Sequence, residues 1–393
     1  MNILDEGLLD DQDAIARADT ADTLRALAGA GAQVRRAVQA AREALPAAIV
    51  PRDRPRTVIL AAPAYGPLGR ALRAVTGADA TLPLVFAAGG VLPGWAGPMD
   101  LVLLAGRGDE PGLIELAGQA YRRGCQVAAA TPGGSPLDAA VQQSRGVVVR
   151  VPVDAAPVGA TGYADDTVFA AQTAFWPLFT ALLALTGAAG ASAFTPGEGL
   201  AGVDAMADRL DEASTRCRPA ADAYLNPAKG LAVAMAGTIP VIWGAGTVAG
   251  VAAERFATMC VGVAATPALS GALPTAGRYQ DRVFTAGESD DAADPDDFFR
   301  DRVDEPEPVR MYPVLLVDHD DEGTAAQLDR ARRTLSALGQ SAVGEVGARG
   351  AGPLERLAEL IAVTDFAAVY LALGTGVGPA VPGLFSWTEG GPR

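Results

Sequence analysis

The stretch NPAKGLAVAMAGTIPVIWGAGTVAGVAAERFATM, residues 226–259, decides the fold class. Its pattern predicts a helix, then a continuous apolar strand, then a glycine turn that leads directly into a second helix. A strand without polar alternation is typical of a parallel sheet that helices cover on both faces. Ligands bind beyond the carboxyl ends of the strands in such sheets, so we expect a site near the glycine turn.

The same alternation of apolar strands, turns and helices continues outward from this stretch. Strands followed by turns are predicted in RTVILAAPAYG from Arg56, MDLVLLAGRGDEPG from Met99, CQVAAATPGG from Cys125 and PVLLVDHDDEG from Pro313. The chain is therefore predicted to be an α/β protein with two three-layer αβα domains, each with a central parallel sheet. The predicted segments are an N-terminal helical segment 1–50, a first domain 51–160, a connecting buried helix 161–190 and a second domain 191–393.

Length and charge narrow the possible functions. The 393 residues leave room for two domains of roughly 150 residues each. The 31 basic and 46 acidic side chains give a net charge of −15, which argues against a nucleic-acid partner.

Three widely spaced cysteines without a CxxC pair predict neither a disulfide framework nor a zinc site. The acidic start MNILDEGLLDDQD lacks the basic and apolar regions of a signal peptide, so we expect a cytoplasmic protein.

Two segments have more than one interpretation. Residues 167–197 carry no charge and raise the question of a membrane span, but Gln172, Pro177 and Gly187 interrupt them and no basic residues flank them. We therefore expect a buried helix and no membrane partner. The acidic, proline-containing tract 287–310 is typical of a solvated surface loop, and a regulatory or partner-binding loop is the alternative.

Four segments, taken in order, carry a family resemblance. They are VLPGWAGPMDLVLLAG from Val91, ATPGG from Ala130, NPAKGLAVAMAGTIPVIWGAG from Asn226 and DFAAVYLALGTGVGP from Asp365. Together they resemble the bifunctional phosphoglucose/phosphomannose isomerases of the SIS family, and specifically an actinobacterial TobH-like branch of it. The resemblance implies two SIS domains, a sugar-phosphate ligand, a homodimer and no cofactor.

The resemblance also implies catalytic groups that this chain lacks. The resembled family uses a glutamate in an Asn-Glu-Asn-Ala motif and a histidine in an Asn-His-Asn-Glu motif, whereas residues 259–284 contain neither residue type. Each positioned acid or base typically contributes about 10² to 10⁴-fold to such a reaction. We therefore expect a sugar-phosphate-binding protein with degenerate catalytic residues. The alternatives are an active aldose–ketose isomerase with relocated groups and a non-catalytic scaffold for mannose-pathway enzymes.

Two glycine-containing turns are the candidate anion sites. The segment AGRGDE from Ala105 stands where SIS proteins usually carry a hydroxyl-rich phosphate loop, so Arg107 and Gly108 are candidates for ligand binding. Asp109 would repel phosphate unless it caps the following helix. In GAGTVAG, residues 244–250, the candidates are Gly244, Gly246 and Thr247, and a tight turn that only packs is the alternative.

Lys229, His319 and Glu254 are the candidates for a relocated acid or base. Lys229, the single lysine, lies on a predicted helix where a structural role is the alternative. His319, the single histidine, follows a predicted strand, and a surface turn is the alternative. The residues around His319 also mimic part of a calcium loop, but a strand precedes them, so we predict no metal site. The mimicking residues are Asp318, Asp320, Glu322, Gly323 and Asp329.

Overall fold

A computed structural model describes residues 4–45, 54–62, 66–77, 80–87, 90–152, 173–191, 201–285, 310–319 and 322–378. The acidic tract 287–309, Asp320 and the expected domain limits at residues 50 and 160 lie outside the described residues. The predictions made for them therefore stay predictions.

The first half of the chain forms short helices followed by a five-stranded parallel sheet. The sheet has the strand order β2-β1-β3-β4-β5. The elements are α1 (Glu6–Asp10), α2 (Gln12–Ala18), α3 (Thr23–Ala28), α4 (Ala30–Ala44), β1 (Thr57–Ala61), α5 (Gly66–Thr76), β2 (Leu84–Phe86), β3 (Asp100–Ala105), α6 (Pro111–Arg122), β4 (Gln126–Thr131), α7 (Pro136–Gln143) and β5 (Val147–Arg150).

The second half repeats the arrangement with one strand fewer. Its parallel sheet has the strand order β7-β6-β8-β9. The elements are α8 (Phe175–Ala188), α9 (Ala201–Arg216), α10 (Pro227–Met235), β6 (Ile239–Ala245), α11 (Thr247–Gly262), β7 (Leu269–Ala272), α12 (Thr275–Tyr279), the 3₁₀ turn Asp281–Phe284, β8 (Met311–Asp318), α13 (Glu322–Ala337), β9 (Gly344–Ala348) and α14 (Pro353–Gly374). The prediction of two parallel sheets with helices on both faces is confirmed.

Alternate side chains along each strand point to opposite faces of the sheet, and both faces are buried. In β1, Val58 and Leu60 join a core that extends between the two sheets, whereas Ile59 packs on the opposite face against α6 and its neighbours. In β6, Ile242 faces the shared core and Trp243 faces α13. Both faces are apolar because helices cover both, which is why the strands lack polar alternation.

The shared core contains two strongly apolar helices. The described side chains of α8 are buried from Phe175 to Gly187. Helix α14, of 22 residues, is the one helix among the described residues that is long and apolar enough to cross a membrane, and all of its most apolar window is buried inside the protein. A helix that is apolar on all sides fits the centre of a multilayer core.

Candidate functional site

A cavity of about 600 Å³, here called the crevice, lies at the carboxyl ends of β6 and β8. These strands are neighbours, but the chain leaves them toward opposite edges of the sheet, to β7 and to β9. Such reversal points are where open α/β sheets bind ligands. The volume also lies within the range of small-molecule sites. The crevice is lined by the turns after β6 and β8, the end of β7, and parts of α5, α11 and α13.

The floor of the crevice is the glycine turn that begins α11. Gly246 is the N-cap residue of α11 and has a φ of 97°, which an L side chain rarely adopts. A Cβ at Gly246 would lie 2.7 Å from the Cβ of Asp318. The first amides of a helix have no carbonyl partner within the helix, and Gly246 has no side chain to cap them. Gly246 and Thr247 therefore offer an anion cradle at the start of α11.

Gly244 has a different role from its neighbours in the turn. A Cβ at Gly244 would lie 2.4 Å from the backbone of Ala249 in α11. Gly244 thus allows the close approach of α11 to β6, and it does not line the crevice. Of the three glycine-turn candidates, the structure places Gly246 and Thr247 in the crevice and Gly244 behind it.

Asp318 and Arg356 form an ion pair beside the cradle. Both side chains are buried, and Arg356 Nη1 also donates to the carbonyl oxygen of Ala351 at 3.1 Å. The guanidinium balances the Asp318 charge, which reduces the repulsion that an anion at Gly246 would meet. The pair also fixes the end of β8 to the start of α14.

The first domain contributes a cation to the crevice. Arg70 of α5 forms an ion pair through its Nε with Oε2 of Glu254 in α11. Both side chains remain partly exposed, at 51% and 40%. Arg70 was not a sequence candidate, because nothing in the local sequence indicates that α5 lies against a helix almost 200 residues further along the chain. Glu254 is the one catalytic candidate that the structure places in the crevice.

Gln327 of α13 supplies an unsatisfied acceptor. Its Oε1 is buried and has no hydrogen-bond partner among the described residues. A buried acceptor without a partner costs about 1 to 3 kcal/mol. Because Gln327 lines the crevice, a hydroxyl group of a ligand is a suitable partner for this atom.

A second turn, at the reversal point of the first sheet, is already filled by the chain itself. The amides of Arg107 and Gly108, which follow β3, donate to Oε1 and Oε2 of Glu110, each at 2.8 Å. A carboxylate thus occupies the position where an anion would lie. Asp109, the conditional capping residue, is exposed and makes only a loose ion pair of 3.7 Å with Arg107. The side chain that holds the turn is that of Glu110.

The turn after β4 lies directly beside this filled loop. A Cβ at Gly108 would lie 2.3 Å from Oγ of Ser135, which caps α7. Asp138 of α7 accepts hydrogen bonds from the Gly134 amide at 2.9 Å and from Arg150 Nε at 3.0 Å. Burial alone would raise the pKa of Asp138, but hydrogen bonds from Arg150, the Gly134 amide and Gln142 lower it below its ordinary value.

A buried ion pair anchors α11 from behind. Arg255 donates from Nε to Oδ1 of Asp365 at 3.1 Å and from Nη2 to Oδ2 at 2.7 Å, and its guanidinium lies 4.6 Å from the ring centroid of Phe175. Burial raises the pKa of Asp365, and the Arg255 charge opposes this rise. The pair joins α8, α11 and α14 in the shared core.

Comparison with known proteins gives one family match and many structural matches. Residues 225–382 match the family model for the bacterial phospho-glucose isomerase C-terminal SIS domain. No curated protein matches the chain in sequence. The family match therefore concerns the second half of the chain.

Solved structures share the SIS-type fold across nearly the whole chain. A putative tagatose-6-phosphate ketose/aldose isomerase from Clostridium novyi has a TM-score of 0.62 at 11% identity, and 95% of this chain covers 93% of that one. The tagatose-6-phosphate ketose/aldose isomerase of Escherichia coli has a TM-score of 0.60 at 13% identity, with coverages of 94% and 95%. The C-terminal domain of glucosamine-fructose-6-phosphate aminotransferase from Francisella tularensis has a TM-score of 0.59 at 11% identity, with coverages of 91% and 97%.

The Asn-x-Ala-Lys segment of the SIS-like second domain is a structural clamp. Lys229 is buried, and its Nζ donates to the carbonyl oxygens of Pro219 at 2.7 Å and Ala221 at 2.8 Å. Asn226 caps α10 through the amides of Ala228 and Lys229. Burial lowers the pKa of Lys229, and two aspartates oppose this effect. The lysine therefore fixes the connection from α9 to α10, outside the crevice.

His319 also lies outside the crevice. Its exposed side chain lies against Gly347 of β9, on the side of β8 that faces away from β6. Among the described residues, no group of three His, Cys, Asp or Glu side chains is arranged to hold a metal ion. Of the calcium-loop residues, Asp320 lies outside the described ranges.

Proposed function

We propose that the chain binds a sugar phosphate in the crevice of the SIS-like second domain and catalyses its isomerisation poorly or not at all. The open anion cradle at Gly246 and Thr247 is the observation that carries this proposal. The phosphate accepts hydrogen bonds from the first amides of α11, where the helix dipole also favours an anion. The SIS match of residues 225–382 supports this ligand class.

The rest of the crevice suits the sugar. Ser270 and Thr324 bring hydroxyl groups to the lining, and the Gln327 Oε1 accepts from a sugar hydroxyl. Arg70 reaches the phosphate from the first domain, so both domains take part in binding. The formal charges of Arg70 and Glu254 cancel, as do those of Arg356 and Asp318. The negative charge of the phosphate is therefore stabilised by the amides of the cradle and by Arg70 when it leaves Glu254 to pair with the phosphate.

A matched pair of arginines on α5 tests this arrangement. A thermal-shift panel of glucose 6-phosphate, fructose 6-phosphate and mannose 6-phosphate should identify a stabilising ligand, since a ligand at 100 times its Kd stabilises by about 2.7 kcal/mol. Arg70→Gln should weaken binding about tenfold. Arg73→Gln should leave it unchanged, because Arg73 binds the carbonyl oxygen of Leu84 outside the crevice. Equal effects of both variants, or no stabilising sugar phosphate, would refute the proposal.

Active isomerisation is a second candidate function, favoured by the position of Glu254. Moving a proton between C1 and C2 of the sugar needs a base beside the carbon chain. A phosphate that pairs with Arg70 releases the Glu254 carboxylate into the crevice to serve as that base. Turnover near one per second that is lost in Glu254→Gln would favour this candidate, since that is an ordinary enzyme rate. Glu115→Gln, which changes an exposed glutamate outside the crevice, is the control.

We also infer a cytoplasmic homodimer of the TobH-like branch. The three cysteines are buried and unpaired, which suits a reducing compartment. Light scattering coupled to gel filtration measures the mass in solution directly. A monomer across micromolar concentrations would refute the dimer.

A further inference from the structure

A groove of about 530 Å³ lies on the outer face of the second domain. It is bounded by α12 on one side and by α13 on the other, and the fully buried Trp243 lies at its floor. Leu273 and Pro274 add further apolar lining. The volume lies in the range of small-molecule sites, and the floor suits an organic group.

Three arginines converge on this groove. Arg278 comes from α12, and Arg330 and Arg333 lie one turn apart on the facing side of α13. Among the described residues, no acidic side chain lines the groove, and none lies within ion-pair distance of the three guanidinium groups. All three side chains are exposed. Three like charges that lie close together repel one another, so an anion between them is favoured.

The adjacent arginine of α13 shows what a structural arginine looks like here. Arg332 donates from Nη2 to Glu345 Oε1 at 2.7 Å and also lies 3.7 Å from Asp329. Its charge is thus balanced on the other side of the helix. Of the described carboxylates in this chain of net charge −15, none lines the groove.

We propose that this groove binds a small organic molecule that carries at least two phosphate groups. Guanidinium forks match phosphate oxygens in pairs, and three of them from two helices serve more than one phosphate. The net negative charge of the chain disfavours a nucleic-acid strand, whereas a small ligand meets only the local field. The groove shares Leu273 and Gln327 with the crevice but not the cradle residues Gly246 and Thr247. Its proposed ligand does not depend on the proposed sugar-phosphate binding.

Calorimetric titration of the full chain with inorganic pyrophosphate in low salt tests the proposal. Wild-type protein should bind saturably, and Arg333→Gln should weaken binding at least about tenfold. Arg332→Gln removes the same charge from the neighbouring position of the same helix and should change the affinity less than about twofold. Circular dichroism verifies that both variants are folded.

Repeating the titration with Gly246→Ala removes any contribution of the crevice, and the binding that Arg333→Gln weakens should remain. Three results would overturn the proposal. They are the absence of saturable binding by the wild-type protein, an equal loss in Arg332→Gln and Arg333→Gln, and a loss of binding in Gly246→Ala alone.

Discussion

The two reversal points of the protein share their topology but differ in what occupies them. In the first sheet, the amides after β3 donate to the carboxylate of Glu110. In the second sheet, the open turn follows β6, the other strand of the reversal point, and Gly246, the N-cap of α11, has no side chain to fill the cradle. The first turn is thus closed by a carboxylate of the chain itself, whereas the second turn presents its amides without a side chain over them. The helices that follow these turns, α6 and α11, also pack against the core through different interactions.

The largest expected effect is the loss of stability on breaking the ion pair that holds α11. Helix α11 depends on the buried pair of Arg255 and Asp365, so Arg255→Ala should lower the free energy of unfolding by about 3 to 5 kcal/mol, because it leaves a buried carboxylate unpaired. Helix α6 is held by apolar residues, among them Leu116. Urea denaturation of Arg255→Ala and of the wild-type protein measures the loss. If Arg255→Ala cost less than about 1 kcal/mol, the proposed role of the pair would be wrong.

The sequence predicts the central strands of each sheet better than the edge strands, because the central strands are buried on both faces. Continuous apolar strands such as 57–61 and 311–318 are visible in the sequence because burial on both faces excludes polar residues. The short edge strands β7 and β9, LSGA and GEVGA, were not predicted, because they are glycine-containing and only partly buried. Sheet membership there depends on tertiary pairing.

The site was predicted less completely than the fold. The glycine turn pointed to Gly246 and Thr247 because its spacing needs a backbone that approaches a neighbour closely. The occupation of the Arg107 turn by Glu110 is a matter of side-chain conformation, although a glutamate just before Pro111 at a helix start is a usable signal. Arg70 could not be found from the sequence, since its place depends on how the two domains pack.

The next effect compares one glycine from each reversal point. Gly246 and Gly108 have φ values of 97° and 96°, so Gly246→Ala and Gly108→Ala should each lower the free energy of unfolding by about 1 to 3 kcal/mol through backbone strain. Gly339→Ala provides a reference, because its φ is 72° but no atom lies within 4 Å of its Cβ position. Thermal denaturation should rank Gly339→Ala as the mildest of the three. A cost equal to that of Gly246→Ala would show that crowding at the cradle contributes nothing.

Emptying the first turn should make it resemble the second. Glu110→Ala removes the acceptor of two amides and should cost about 1 to 3 kcal/mol, and inorganic phosphate should then stabilise the variant more than the wild-type protein. Glu115→Ala on the same helix breaks only an exposed pair, worth about 0 to 1 kcal/mol. Thermal shifts with and without phosphate measure the difference. Identical phosphate responses of Glu110→Ala and wild type would contradict the filled-cradle interpretation.

The smallest expected effect is a pH dependence that belongs to the first domain. The pKa of Asp138 is lower in the folded protein than its ordinary value, so its stabilising contribution is present above about pH 4 and is lost as the pH falls through the folded pKa. Asp138→Asn should therefore show a shallower loss of stability on acidification than the wild-type protein. Denaturant titrations at pH 6 and at lower pH provide the slopes. Parallel slopes would remove Asp138 from the explanation of acid sensitivity.

The open cradle in the second domain and the filled turn in the first can be compared by NMR in the unmodified protein. Glycine labelled with ¹⁵N reports both turns at once, through the amides of Gly108 and Gly246. On titration with fructose 6-phosphate, the resonance of Gly246 should move saturably while that of Gly108 stays in place. Movement of Gly108 with a stationary Gly246 would contradict the account.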